Sequence, residues 1–250
     1  MKYFLLIISF NAFSQLSLPT FQAIHNNQES GDILQDNLIL HLDASNPFSL
    51  DPNDLTNWND LTSSNNDLPI FQGSTTFSNI NGGSVVFDGN DIYKINNLNN
   101  LTTQKITISF WIKTNDSSGY LACMSRTPNN ITNELIFMIS GGKIHFWDYS
   151  NAYGFNTKSN STVNNNQWKF VTFVKDNTSG KYYINTSLDR SVTAARNVPY
   201  GSDNFLIGKN WRDNNYGYSG HIGAVYFYTT NLSISQIEDN FNSTKSRYGL

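Results

Sequence analysis

The segment Lys105-Ile106-Thr107-Ile108-Ser109-Phe110-Trp111-Ile112-Lys113 constrains this chain more than any other. Its apolar residues Ile106, Ile108, Phe110 and Ile112 fall at every second position, the period of a strand with one face buried. Trp168, Phe170, Thr172 and Val174 repeat the pattern. Further short apolar runs read as strands at Leu38–Leu42, Ser84–Phe87, Ile92–Ile95, Tyr120–Met124, Leu135–Ile139, Lys143–Trp147, Tyr182–Thr186, Phe205–Gly208 and Gly220–Tyr228. Gly141-Gly142 supplies a hairpin turn whose two residues take positive φ without steric cost, and Asn177–Gly180 supplies a second. Short strands at this spacing with turns between them make an antiparallel sandwich or barrel, not βαβ units. The expected class is therefore all-β.

The chain of 250 residues is 38% hydrophobic and 14% aromatic, enough for a sizeable core in one β domain. A net charge of −3 without any Lys/Arg run gives no electrostatic footprint for nucleic acid. The one cysteine, Cys123, excludes an intrachain disulfide and reads as a small core hydrophobe in a strand. Four scattered histidines lack zinc-ligand spacing.

Residues 1–14 read as a signal peptide: Lys2, an apolar run from Tyr3 to Phe13, and Ala12-Phe13-Ser14 before Gln15. The run is shorter than the ~20 apolar residues of a membrane span. The competing reading is an apolar tail that docks onto a partner. Residues 15–35 look like a polar linker, and the domain is expected over 36–250, opening on a buried strand. A polar loop rich in turn residues follows, from Asp43 to about Gly82, with Trp58 folded back on the sandwich as a plug. The single expected helix lies near the end. Ser233 or Ser235 can cap it, Glu238 stands at capping-box spacing from Ser235, and Ile234, Ile237 and Phe241 share one face.

Five stretches, in order, resemble the laminin-G-like, concanavalin A-like lectin/glucanase jelly-roll family. They are Leu38-Ile39-Leu40-His41-Leu42-Asp43-Ala44-Ser45 with Trp58-Asn59-Asp60-Leu61-Thr62; Val86-Phe87-Asp88-Gly89-Asn90-Asp91-Ile92-Tyr93; Thr107-Ile108-Ser109-Phe110-Trp111-Ile112-Lys113; Asn166-Gln167-Trp168; and the closing Gly220-His221-Ile222-Gly223-Ala224-Val225-Tyr226-Phe227-Tyr228 with Asn231-Leu232-Ser233. The family's Ser-Gly after the early Trp motif is replaced by Thr62-Ser63, so that turn is expected to differ. The resemblance implies a two-sheet antiparallel jelly roll with a short C-terminal helix. It implies a fold, not an activity.

Glycanases of this fold carry two carboxylates on one strand, one or three residues apart, facing a groove. Of the glutamates Glu29, Glu134 and Glu238, none has such a partner, so no enzyme activity is expected. Relatives often hold one Ca²⁺, and Asp88 and Asp91, flanking Gly89-Asn90, are the candidate metal ligands, with Asp213 a further one. The alternative for Asp88 is an Asx-turn with its own backbone. Two loops place aromatic rings beside amides and carboxylates, the combination that stacks on a sugar's apolar face and bonds its hydroxyls. One carries Trp147, Asp148 and Tyr149; the other carries Trp211, Arg212, Asp213, Asn214 and Tyr216. Trp111 and Trp168 alternate with apolar neighbours and read as structural.

These features favour a secreted or cell-surface module that binds glycans or mediates adhesion without catalysis, assisted by Ca²⁺ if the aspartates ligate it. The alternatives are a structural virion or surface-assembly protein, with other protein subunits as partners, and a glycoside hydrolase on the same fold.

Overall fold

The computed structural model describes residues 33–98, 103–125, 134–149, 154–197, 204–210 and 215–250. The segments expected to be a signal (1–14) and, for the most part, a linker (15–35) lie outside these residues. Sixteen strands are described: β1 (Leu38–Asp43), β2 (Asn57–Trp58), β3 (Leu68–Gln72), β4 (Thr76–Ser78), β5 (Ser84–Asp88), β6 (Ile92–Ile95), β7 (Lys105–Lys113), β8 (Ser118–Ser125), β9 (Glu134–Ser140), β10 (Lys143–Tyr149), β11 (Asn156–Thr162), β12 (Lys169–Asp176), β13 (Ser179–Ile184), β14 (Ser187–Thr193), β15 (Asn204–Ile207) and β16 (Ser219–Tyr228). A helix, α1 (Ile234–Asn242), and a 3₁₀ turn over Lys245–Tyr248 follow.

The strands form two antiparallel sheets. Sheet 1 runs β14-β13-β12-β7-β16-β5-β4, with β1 also paired to β16; sheet 2 runs β11-β10-β9-β8-β15-β6-β3-β2. Alternation in β7 decides what lies between them. Ile106, Ile108, Phe110 and Ile112 enter the inter-sheet core with Phe137, Phe146, Phe173, Phe205 and Phe227. Thr107, Ser109 and Trp111 take the other face. There Trp111 is stacked beneath Tyr248 and Phe241, with ring centroids 4.2 and 5.5 Å away, and its indole N–H donates to Thr244 Oγ1 at 2.9 Å. The outer face of sheet 1 is thus closed by α1 and the 3₁₀ turn. Ile33 and Leu34 join this cluster, and the Leu34 N–H donates to Asn240 Oδ1 at 3.0 Å.

The motif aspartates organise backbone. Asp60 accepts from the amides of His41, Thr62 and Asn66 and from the Thr62 hydroxyl, which fixes the turn after Trp58. Trp58 is fully buried as the expected plug, edge-on to Tyr93.

Several expectations need revision. The 43–82 stretch is not one loop; it carries β2, β3 and β4, short strands that polar composition hides. Two polar strands, β11 and β14, also escape the alternation test because both are sheet edges. They protect each other: Asp189 accepts the amides of Asn160 and Ser161, and Arg190 Nη1 donates to the Lys158 carbonyl at 2.7 Å. Those contacts cover backbone groups that an edge would leave open. The helix cap is Ser233, whose capping box closes with Gln236 rather than Glu238. Ile237 is buried and Phe241 packs at its side, but Ile234, in the first turn, is exposed.

Candidate functional site

With the outer face of sheet 1 covered, the outer face of sheet 2 carries the remaining apolar cluster. Ile92, Tyr120, Cys123, Ile136, Met138 and Leu206 form it, and half-buried Trp147 packs at its side. Register explains the grouping. Leu206 pairs with Cys123, Cys123 with Ile136, Ile136 with Trp147 and Trp147 with Asn156, so one row crosses five strands. The next row runs Tyr120, Met138, His145, Lys158.

His145 and Trp147 are two apart on β10 and point the same way. Their rings lie 6.2 Å apart and nearly coplanar in orientation, with an interplanar angle of 4°. His145 Nε2 bonds Asn156 Oδ1 at 2.8 Å. With that oxygen as acceptor, Nε2 carries the proton and Nδ1 keeps a lone pair; Nδ1 is buried without a partner. Burial is the main cause that lowers the His145 pKa, opposed by the Asn156 bond and aided by Lys158. The ring is therefore neutral at physiological pH.

At the opposite margin, exposed Tyr216 sits edge-on to Tyr120, with centroids 6.4 Å apart, and its carbonyl accepts the Tyr120 amide at 3.0 Å. This placement needs a glycine at 217. A Cβ on Gly217 would lie 1.7 Å from the Gly89 carbonyl oxygen, so only glycine lets the two backbones cross. The backbone of the Phe87-Asp88-Gly89 motif is thus part of what holds Tyr216.

The expected site residues separate into three groups. Trp147 and Tyr216 flank the same cluster. Asp148 does not join them: alternation sends it inward, where it is buried and its carboxylate accepts the Phe155 amide. The Tyr149 backbone pairs with Glu134 at the end of β10, and its side chain lies outside the described structure. Trp211, Arg212, Asp213 and Asn214 lie outside the described residues. Sequence reading passed over His145, Tyr120 and Asn156. The two-residue period of Lys143-Ile144-His145-Phe146-Trp147 was the available signal for His145.

The aspartates proposed for Ca²⁺ are engaged otherwise. Asp91 is buried; Oδ1 accepts the Ser74 amide and Oδ2 the Asp88 amide, both at 2.9 Å. Asp88 Oδ1 accepts the Asn90 amide at 2.8 Å, the Asx-turn geometry. Burial first, and then the Asp88 charge, raises the Asp91 pKa, opposed by the hydrogen bonds from the Asp88 and Ser74 amides. Three of the four carboxylate oxygens of this pair thus accept backbone N–H groups, the bonding of a turn held by its own side chains. Among the described residues no three His, Cys, Asp or Glu side chains cluster as metal ligands.

A family model described as the concanavalin A-like lectin/glucanases superfamily matches residues 87–238. The chain belongs to this superfamily. A search of curated proteins found no match. Among solved structures, domain 4 of AbnA, an extracellular GH43 arabinanase of Geobacillus stearothermophilus determined with arabinotriose, matches at a TM-score of 0.66 and 20% identity, covering 83% of this chain and 99% of that one. The binding domain of botulinum neurotoxin serotype D/C matches at 0.61 and 16%, covering 83% of this chain and 52% of the toxin domain. The botulinum neurotoxin DC binding domain determined with SialylT matches at 0.60 and 16%, covering 84% and 52%. This chain therefore spans about half of those toxin domains. These likenesses establish the fold of the superfamily member. Among the described residues no helix is long and apolar enough to cross a membrane.

Proposed function

We propose that this superfamily member is a secreted, non-catalytic module that binds glycans on the outer face of sheet 2. The observation that carries the reading is the parallel His145–Trp147 pair beside Asn156 and Lys158, with Tyr216 across the apolar cluster. A half-buried indole on a rigid strand offers a flat apolar surface at little entropic cost. The adjacent amide and ammonium supply hydrogen bonds for hydroxyls. That two solved relatives carry a saccharide in their structures, arabinotriose and SialylT, supports the same reading. The reading needs no carboxylate pair and places no calcium at Asp88 and Asp91. Each site is expected to bind weakly, with repeated display raising the avidity.

A glycan array probed with the purified domain, with and without chelator, tests this. Binding to at least one saccharide class, retained in chelator and lost in Trp147→Ala, supports the reading. An array without any bound glycan contradicts it.

A further inference from the structure

We propose a second saccharide site on the opposite side of the molecule, in a depression of about 600 Å³ where α1 begins beside β12 and β13. Its floor is apolar: Val174, Tyr183 and Leu232 belong to the cluster under the helix. Its rim is polar, with Asp176, Lys181 and Gln236 around the opening. The volume falls in the range of small-ligand sites, and a small apolar floor with few convergent polar groups is the usual make-up of one.

Three details select a hydroxyl-rich, uncharged ligand. Tyr183 is 7% exposed, yet no hydrogen bond from the described residues reaches its hydroxyl, and burial alone raises its pKa. Its ring is packed while its hydroxyl opens onto the depression, where it offers a donor and an acceptor to a ligand. Asp176 is held in place by Lys105 at 3.3 Å and by the Asn231 amide at 3.1 Å, which balances its charge while leaving it an acceptor. Lys181, exposed on the neighbouring strand, provides donors only. Donors and acceptors thus alternate around an apolar base, which matches a sugar ring better than a phosphate or a hydrocarbon.

The site is independent of the sheet 2 face, because β12, β13 and α1 carry none of its residues. If both sites bind, one chain is divalent for glycans and cross-links them without oligomerising.

Two-dimensional ¹H–¹⁵N spectra of the intact domain, titrated with L-arabinose, D-galactose and D-glucose into the millimolar range, test the proposal. Saturable shifts are expected at the amides of residues 179–183 and 231–236, persisting in Trp147→Ala. Tyr183→Phe and Lys181→Met are each expected to weaken them about fivefold, the effect of one lost hydrogen bond. Lys181 is exposed, so its variant keeps the test valid even if Tyr183→Phe folds poorly. Absence of saturable shifts at these amides with all three sugars overturns the site, as does equal affinity in the wild type and Lys181→Met.

Discussion

Arg247 Nη1 lies 2.7 Å from Asp43 Oδ2, which joins the end of the first strand to the last turn across 204 residues. Asp43 also accepts from the amide and hydroxyl of Ser45, and Arg247 reaches the same hydroxyl. The Leu42-Asp43-Ala44 motif therefore acts as the receptor for the C-terminal turn, and Tyr248 follows Arg247 onto Trp111 and Trp168. Removing one partner of a buried pair leaves an uncompensated charge. Arg247→Met is expected to destabilise the domain by about 3 kcal/mol in denaturant unfolding. A change within about 0.5 kcal/mol, the size of an ordinary surface substitution, would contradict this role.

Lys175 is fully buried on β12, with its ammonium donating to the Gln104 carbonyl and to Asn197 Oδ1. Burial pulls its pKa down to about 8 from 10.5, against the opposing charges of Asp148 and Asp176. Below pH 8 both folded and unfolded chains carry the proton, and the folded state bears the cost in full. Between 8 and 10.5 the unfolded chain holds more protons, so stability rises with pH, at most about 1.4 kcal/mol per unit. Stability measured from pH 7 to 10 in wild type and Lys175→Met is expected to differ in slope over this window, with the rise absent in the variant. Parallel curves would exclude the assignment.

Thr186 has φ 70° in the two-residue turn between β13 and β14, where a β-branched residue is strained. Thr186→Gly is expected to raise stability by about 1 kcal/mol, read as an increase in Tm. A lower Tm would show that its side chain contributes more than the strain costs.

The Asp88–Gly89–Asn90–Asp91 turn is closed by its own carboxylates. Asp91→Asn retains one acceptor of two and is expected to lose about 1–2 kcal/mol. Added Ca²⁺ is expected to leave the Tm of wild type and variant unchanged. A calcium-dependent rise in wild type that disappears in Asp91→Asn would assign the metal to this turn.

What the sequence disclosed follows burial. β7 alternates cleanly with Ile106, Ile108, Phe110 and Ile112 inward, so its existence and core face were legible; β12 was legible as a strand, but Trp168, Phe170 and Val174 lie under α1 while Val171 and Phe173 enter the inter-sheet core. β11, with Asn-Thr-Lys-Ser-Asn-Ser-Thr, and β14, with Ser-Leu-Asp-Arg-Ser-Val-Thr, are edges held by Asp189 and Arg190 across 28 residues or more, and nothing local announces them. Turns were easier. Asn37, Asn65, Asn81, Asn97, Asn166, Asn177 and Asn185 all take positive φ, so much of the chain's asparagine serves left-handed positions that glycine fills elsewhere. For the site, Trp147 and Tyr216 were visible as aromatics among polar residues. That they share a face with Tyr120 depends on pairing between β8, β9 and β10, a long-range fact. Asp148 was misplaced because the strand continues past Trp147, and each added residue alternates the face.

The most direct test is calorimetric titration of the best array glycan into wild type and Trp147→Ala, with the Tm of both recorded. The account predicts a loss of affinity of about tenfold or more, near the 1.4 kcal/mol expected for one stacking contact, with the fold intact. Equal affinities in two equally folded proteins would contradict it.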